Sequence, residues 1–278
     1  MAEINAAAVG KLRELTNAGL MDCKKALVEA NGDLPAAVDI LRKKGVATAA
    51  KKAGREAKEG VIAQHILPGS RAGVLVEINC ETDFVAKNET FRSFCDDVAR
   101  RLAADPKADL ETDRVAAVAR IGENIKISRH QRLEVSGNGM VAAYIHTGAK
   151  LGVLVEVGAA KESTVGSDPF KELVRDITLQ IAAAHTIAVS RDQVDPAIIA
   201  KEKEIAQEQV KNSPPQAVAK IVEGKLEKFF QTNCLLDQGF VKKEITVREH
   251  VAGVARQLDD EISIRRFIRF QVGETTGA

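Results

Sequence analysis

The sequence predicts an α+β fold: a three-helix N-terminal module, then a duplicated core of antiparallel strands and packed helices that carries an inserted helical hairpin. Three observations lead there. The first 45 residues place apolar side chains at helical spacing and show no strand pattern. From Gly60 onward, a strand–turn–strand–loop–helix pattern occurs twice at a constant separation of 79 residues. After the second copy come two amphipathic helical stretches, a further helix and a last strand.

The elements follow in order. Residues 5–17 form a first helix with Val9, Leu12 and Leu15 on one side, and Asn17-Ala18-Gly19 turns the chain. The second helix is expected to begin near Asp22 as N-cap, with Cys23, Ala26, Leu27 and Ala30 facing inward. Asn31-Gly32 stops it. Asp33 caps a third helix with Pro35 in its first turn, followed by Val38, Leu41 and Gly45. Residues 1–45 therefore make a compact module, either a ubiquitin-associated-like bundle or a helix-turn-helix. Residues 46–59 are Ala-rich and basic, with Lys51, Arg55 and Lys58 at helical spacing, and read as a solvated helical linker, with phosphate binding as the alternative.

The duplication organises the rest. Gly73-Val74-Leu75-Val76-Glu77 is identical to Gly152-Val153-Leu154-Val155-Glu156, and Phe91, Asp97 and Ala103 match Phe170, Asp176 and Ala182 at the same separation. Each copy reads as a strand (61–67; 140–146), a Gly-containing turn, an aliphatic strand (73–79; 152–158) and an amphipathic helix (about 90–104; 168–184). Residues 111–127 read as a helix leading to Ile121-Gly122-Glu123-Asn124-Ile125, and a strand around 125–135 follows. The first half of the core is thus 60–135 and the second 136–194. Residues 195–231 form the hairpin. Asp195-Pro196 starts one helix, with Ile198, Ile199, Ile205 and Val210 apolar. A capping-box pattern at Ser213 starts the other, with Val218, Ile221, Val222, Leu226, Phe229 and Phe230 as its stripe. Residues 232–278 supply a last helix near 246–258 and a closing strand, 262–272.

Composition narrows the functional classes. The 40 basic and 39 acidic residues leave a net charge of +1, which lacks the basic field of a dedicated nucleic-acid binder. No apolar run approaches the roughly 18 residues of a membrane span. Met1 to Gly10 shows no secretory pattern. Cys23, Cys80, Cys95 and Cys234 lie far apart, as suits reduced thiols in a cytoplasm rather than a disulfide or zinc framework. Phosphate-loop, zinc-protease and nucleophile-elbow motifs are absent, so neither an enzyme nor a resident cofactor or metal is expected.

The copies diverge after the second strand. The first reads Asn79-Cys80-Glu81-Thr82-Asp83-Phe84-Val85-Ala86-Lys87-Asn88, the second Gly158-Ala159-Ala160-Lys161-Glu162-Ser163-Thr164-Val165-Gly166-Ser167. Folding dictates what the copies share, so function is sought where they differ. Phe84 there is either a core anchor or a wedge for a partner.

Thr82 to Asn88 resembles the signature of bacterial elongation factor Ts, the nucleotide-exchange factor for the GTPase EF-Tu. Leu12 to Leu27, Glu29 to Asp33, Ile121-Gly122-Glu123-Asn124-Ile125 and Tyr144-Ile145-His146 also resemble it, in the family's order. The resemblance implies that the N-terminal module is the ubiquitin-associated-like one and docks on EF-Tu through Arg13, Leu20 and Met21. It implies that Thr82, Asp83, Phe84 and Val85 enter EF-Tu near its magnesium, and that His146 and Gly148 make a second contact. The 195–231 hairpin becomes a coiled-coil protrusion. Neither stable nucleotide binding nor direct nucleic-acid binding is then expected of the chain, and a homodimer is compatible with it. Leu15 and Leu20 stand where some relatives have Arg and Met. The chain ends at Gly277-Ala278, so contacts made by a further C-terminal helical module of some members are expected to be absent. The alternative is an RNA-associated translation protein that binds through Lys11, Arg13, Lys24, Lys25, Arg42, Lys43 and Lys44. It lacks the aromatic platform that base stacking requires.

Overall fold

The computed structural model describes residues 5–16, 18–211 and 214–274. Three helices come first: α1 (Ala6–Thr16), α2 (Leu20–Glu29) and α3 (Leu34–Lys52). Val9, Leu12, Cys23, Ala26, Leu27 and Ala37 form their small common core. The caps follow the sequence at α3, where the Asp33 carboxylate accepts from the Ala36 amide and Asn31 and Gly32 take positive φ.

Several expectations need correction here. The second helix starts at Leu20 on Gly19, not near Asp22, because Asp22 already lies in its first turn. Leu15 is exposed rather than core, since the bundle covers only the Val9–Leu12 side of α1. Helix α3 runs unbroken past Gly45, so the expected edge between module and linker lies inside one helix. It stops at Lys52, leaving Arg55 and Lys58 off the helical spacing. The Asn124 side-chain amide holds the carbonyls of Ala53 and Arg55 just beyond that end. Asn17 and the Ser213 capping box lie outside the described residues.

The core begins with β1 (Glu59–Ile66) and β2 (Ala72–Cys80), the short helix α4 (Asp83–Ala86), α5 (Glu89–Ala104), α6 (Glu111–Ile121) and β3 (Lys126–Glu134). The second half repeats this with β4 (Gly139–Ile145), β5 (Leu151–Ala159), the short helix α7 (Glu162–Val165) and α8 (Asp168–Ala183). A hairpin of α9 (Pro196–Gln209) and α10 (Pro215–Asn233) interrupts it before α11 (Val247–Gln257) and β6 (Ile262–Gln271). The sheets are antiparallel, ordered β1-β2-β3 and β4-β5-β6, with the aliphatic strand central in each. The inner faces meet through Ile62, Leu75, Leu133, Val141, Leu154, Ile268 and Phe270. The outer faces are covered by α5 and α6 on one side and by α8 and α11 on the other. Phe91 and Phe170, at matching positions, are fully buried under these helices. Each such burial is worth about 2–3 kcal/mol.

Glycine lets the sheets approach. A Cβ on Gly152 would lie 2.5 Å from Ile62 Cγ2, and one on its counterpart Gly73 would lie 3.2 Å from Val141 Cγ1.

The third strands extend the duplication beyond the strand–turn–strand–loop–helix unit. Glu77 faces Arg129 across the first sheet and Glu156 faces Arg266 across the second, each beside a register shift. Both glutamates are buried and both pairs close at 2.7 Å. Arg129 also donates to the Gln271 carbonyl, and Arg266 donates to the Glu134 carbonyl. The two halves thus cross-link each other by the same bond, as halves related by a two-fold do. The third strands match at a separation of 137 rather than 79 residues, because the hairpin and the connections on either side of it lengthen the path from α8 to α11. In the hairpin Val222, Ala206 and Val210 pack together, while Ile198, Ile205 and Ile221 of the expected stripes are exposed. Two thin helices cannot cover both faces of each other.

Candidate functional site

The divergent segment is not a plain loop. Thr82 caps α4, its hydroxyl accepting from the Val85 amide at 3.3 Å. Ala86 is buried and Val85 packs half-buried against the first core. Those two contacts turn Phe84 outward, and it is 81% exposed, the most exposed large apolar side chain among the described residues. The core-anchor alternative for Phe84 is therefore excluded. Asp83 lies beside it on the surface and accepts from Lys87 Nζ at 2.7 Å, one turn on. That hydrogen bond holds the Asp83 carboxyl below its ordinary range. The tip thus offers one apolar ring and one ionised carboxylate, with Val85 serving as its root.

A carboxylate from elsewhere in the chain fixes the tip. Glu123, in the turn between α6 and β3, accepts from the Glu81 and Thr82 amides at 3.0 Å each and from the Thr82 hydroxyl at 2.6 Å. Glu81 returns the bond, accepting from the Asn124 amide at 2.6 Å. Below, Cys80 is buried, and burial pushes its thiol up to about 12, so it is packing rather than a nucleophile. Nothing in the sequence pattern assigns a role to Glu81, Glu123 or Asn124. Their partners lie some forty residues away, beyond the reach of local spacing.

The remaining expected residues form two other surfaces. Leu20 and Met21 are exposed in the first turn of α2, and Arg13 is exposed near the end of α1. Leu15 and Val46 are exposed too, so the module carries unburied apolar side chains at several points. Of the basic residues on this module, Lys44 pairs with Asp22. His146 is exposed at the end of β4, its Nδ1 at 3.0 Å from the Tyr144 hydroxyl. Gly148 takes φ +88° in the turn that follows. This turn is tied to the first half of the core by the Ile62 amide, which donates to the Ala149 carbonyl at 2.7 Å. His146, Tyr144, Lys58, Lys150, Val241 and Lys242 line a groove of about 770 Å³. Among the described residues, no three of His, Cys, Asp or Glu converge as a metal site, and no helix is long and apolar enough to cross a membrane.

The family model for elongation factor Ts matches residues 81–274, from the tip to the last strand. This chain belongs to the elongation factor Ts family. Elongation factor Ts of Symbiobacterium thermophilum is 45% identical over 99% of this chain and 93% of its own length. Those of Lawsonia intracellularis and Nitratidesulfovibrio vulgaris are 40% and 39% identical, each covering at least 98% of both chains. Membership of the elongation factor Ts family makes the chain a translation elongation factor.

Proposed function

We propose that this chain binds EF-Tu in its GDP form and promotes release of GDP, so that GTP can replace it. The observation that carries this is Phe84, an exposed ring on a capped and clasped tip. An apolar side chain of this size is worth up to about 3 kcal/mol when it leaves water, and here that energy is unspent until a partner covers it. Placed beside the magnesium and phosphates of the GTPase, Phe84 and Asp83 weaken the contacts that retain GDP. Linkage makes the effect reciprocal: nucleotide weakens the factor as the factor weakens nucleotide. No covalent step is involved, and the chain needs neither nucleotide nor metal of its own. Arg13, Leu20 and Met21 on the N-terminal module supply docking, and His146 and Gly148 a second contact. The reaction belongs to the cytoplasm, where EF-Tu works.

The test is release of a fluorescent GDP analogue from EF-Tu. The wild-type chain accelerates it, increasingly as free magnesium is lowered. Phe84→Ala accelerates it far less while its unfolding free energy stays within about 1 kcal/mol of wild type. A large loss of stability with exchange intact would overturn the exchange role of Phe84.

A further inference from the structure

Helix α4 spans four residues, too few to hold itself as a helix in water. Its posture must come from outside, and the Glu123 carboxylate supplies it through the three donors at its amino end. The second half has a counterpart. Asp260 accepts from the Lys161 amide at the same place on α7, and Asp259, like Gly122, takes positive φ in the turn before it. A carboxylate at that position therefore belongs to the shared fold.

The first half clasps its tip differently. Glu123 takes two successive amides at the root of the tip, those of Glu81 and Thr82, together with the Thr82 hydroxyl, whereas Asp260 divides its bonds between the Lys161 amide, the Thr164 side chain and its own neighbour's amide at Glu261. Glu81 then closes the loop back onto Asn124. The Asn124 side chain, 1% exposed, reaches the Ala53 and Arg55 carbonyls past the end of α3, and Lys52 donates to the Gly122 carbonyl. The same three-residue turn thus holds the exchange tip with one hand and the helix of the docking module with the other. At the counterpart of Asn124 the second half has the exposed Glu261.

We propose that Glu123 is a positioning residue for exchange: through the 122–124 turn it fixes the tip relative to α3, so that binding gathered by the N-terminal module is delivered through Phe84. This rests on the exchange reading above. A ring that swings on its root still meets the partner but meets it off target, and misplacement by about 1 Å can cost up to a hundredfold in rate.

The experiment measures GDP release from EF-Tu over a range of factor concentrations, separating the maximal rate from the half-saturating concentration. Glu123→Ala lowers the maximal rate about tenfold and leaves half-saturation within about twofold. Glu123→Asp, with the acid the second half uses, recovers part of the rate. Asp260→Ala removes the matching clasp from the tip without Phe and leaves the maximal rate within about twofold, whatever it does to the melting temperature. Glu123→Ala combined with Phe84→Ala is no slower than Phe84→Ala alone, because both act through one ring. A folded Glu123→Ala with the wild-type maximal rate overturns the proposal, and so does an equal loss in Asp260→Ala. Should Glu123→Ala fail to fold, Glu123→Asp decides alone: a maximal rate at the wild-type level overturns the proposal. Phe84→Ala at the wild-type rate overturns the exchange reading itself, whereas a slow Phe84→Ala beside a fast Glu123→Ala overturns only the positioning role.

Discussion

The tips of the two halves share a backbone and differ in what they display. Helices α4 and α7 follow equivalent strands, have the same length and are held at the amino end by equivalent carboxylates. Beyond the shared frame, α4 presents Asp83 and Phe84 where α7 presents Glu162 and Ser163. A duplicated fold has kept one tip as scaffold and given the other an apolar ring that its own core does not use. Departure from the copy therefore singles out a candidate site more sharply than exposure alone, which many surface residues share.

The most direct way to break this comparison is to make the first tip read like the second. Phe84→Ser is expected to abolish most of the acceleration of GDP release, a loss of roughly tenfold or more, with stability within about 1 kcal/mol of wild type. The reciprocal Ser163→Phe gives no gain in exchange, since that tip lies elsewhere on the molecule. Gain of activity in Ser163→Phe would mean that the halves are interchangeable and the comparison uninformative.

A second comparison concerns what the halves share, the pair of buried glutamates. Burial pushes the Glu156 carboxyl up, but hydrogen bonds from Arg265 and Arg266 outweigh it and hold the group below the ordinary carboxylate range. Glu156→Gln is expected to cost about 2–4 kcal/mol in urea unfolding at pH 7, since a buried pair loses its charge partner. A depressed carboxyl stabilises fully above its unfolded value, near 4.3, and this contribution fades as pH falls through the folded value. The deficit of Glu156→Gln relative to wild type should therefore shrink below pH 4. A deficit independent of pH would remove the ion pair from the explanation.

A smaller effect concerns docking as against exchange. Leu20→Ser with Met21→Ser should raise the half-saturating concentration several-fold, keep the maximal rate and change stability by about 0.5 kcal/mol or less. A fall in the maximal rate with unchanged half-saturation would move exchange chemistry onto the module.

The smallest effect on exchange is expected at the thiols. Cys80 and Cys95 stand where the second half has Ala159 and Val174, all four buried. Cys80→Ala with Cys95→Val borrows those residues and should cost less than about 1.5 kcal/mol per site, leaving exchange unchanged. Burial holds both native thiols up, so alkylation at pH 8 should be slow until the protein unfolds.

Much of this fold was legible because the chain states it twice. The identical runs at Gly73 and Gly152 set the central strands, and the matched Phe91 and Phe170 set the helices over them. The third strands carry no such signal, because the insertion shifts their spacing and Glu77 and Arg129 meet only across the sheet. Within the candidate site, Phe84 stood out as the odd residue of one copy. Glu123 did not, because its role consists of bonds to residues far along the chain, and no periodicity records such a bond. The start of α2 is ambiguous in the sequence for a local reason: Asp22 is a good cap by type, but Gly19 already begins the helix and leaves Asp22 to Lys44.

The base of the α9–α10 hairpin is closed on itself. The Ile187 amide meets the Asn233 carbonyl at 3.0 Å, and the Leu235 and Leu236 amides meet the Ala188 and Val189 carbonyls at 2.9 and 3.0 Å. Arg191 bridges the same base, gripping Glu227 on α10 and Asp237 beyond it while lying over the Phe230 ring. A segment whose two ends are already stitched together imposes no length on what lies between them. The distal part of the hairpin can therefore shorten, lengthen or be exchanged for another structure while α11 and β6 keep their seats. It is the place in this architecture where a lineage, or an engineer fusing in a reporter, can add a new part without redrawing the core.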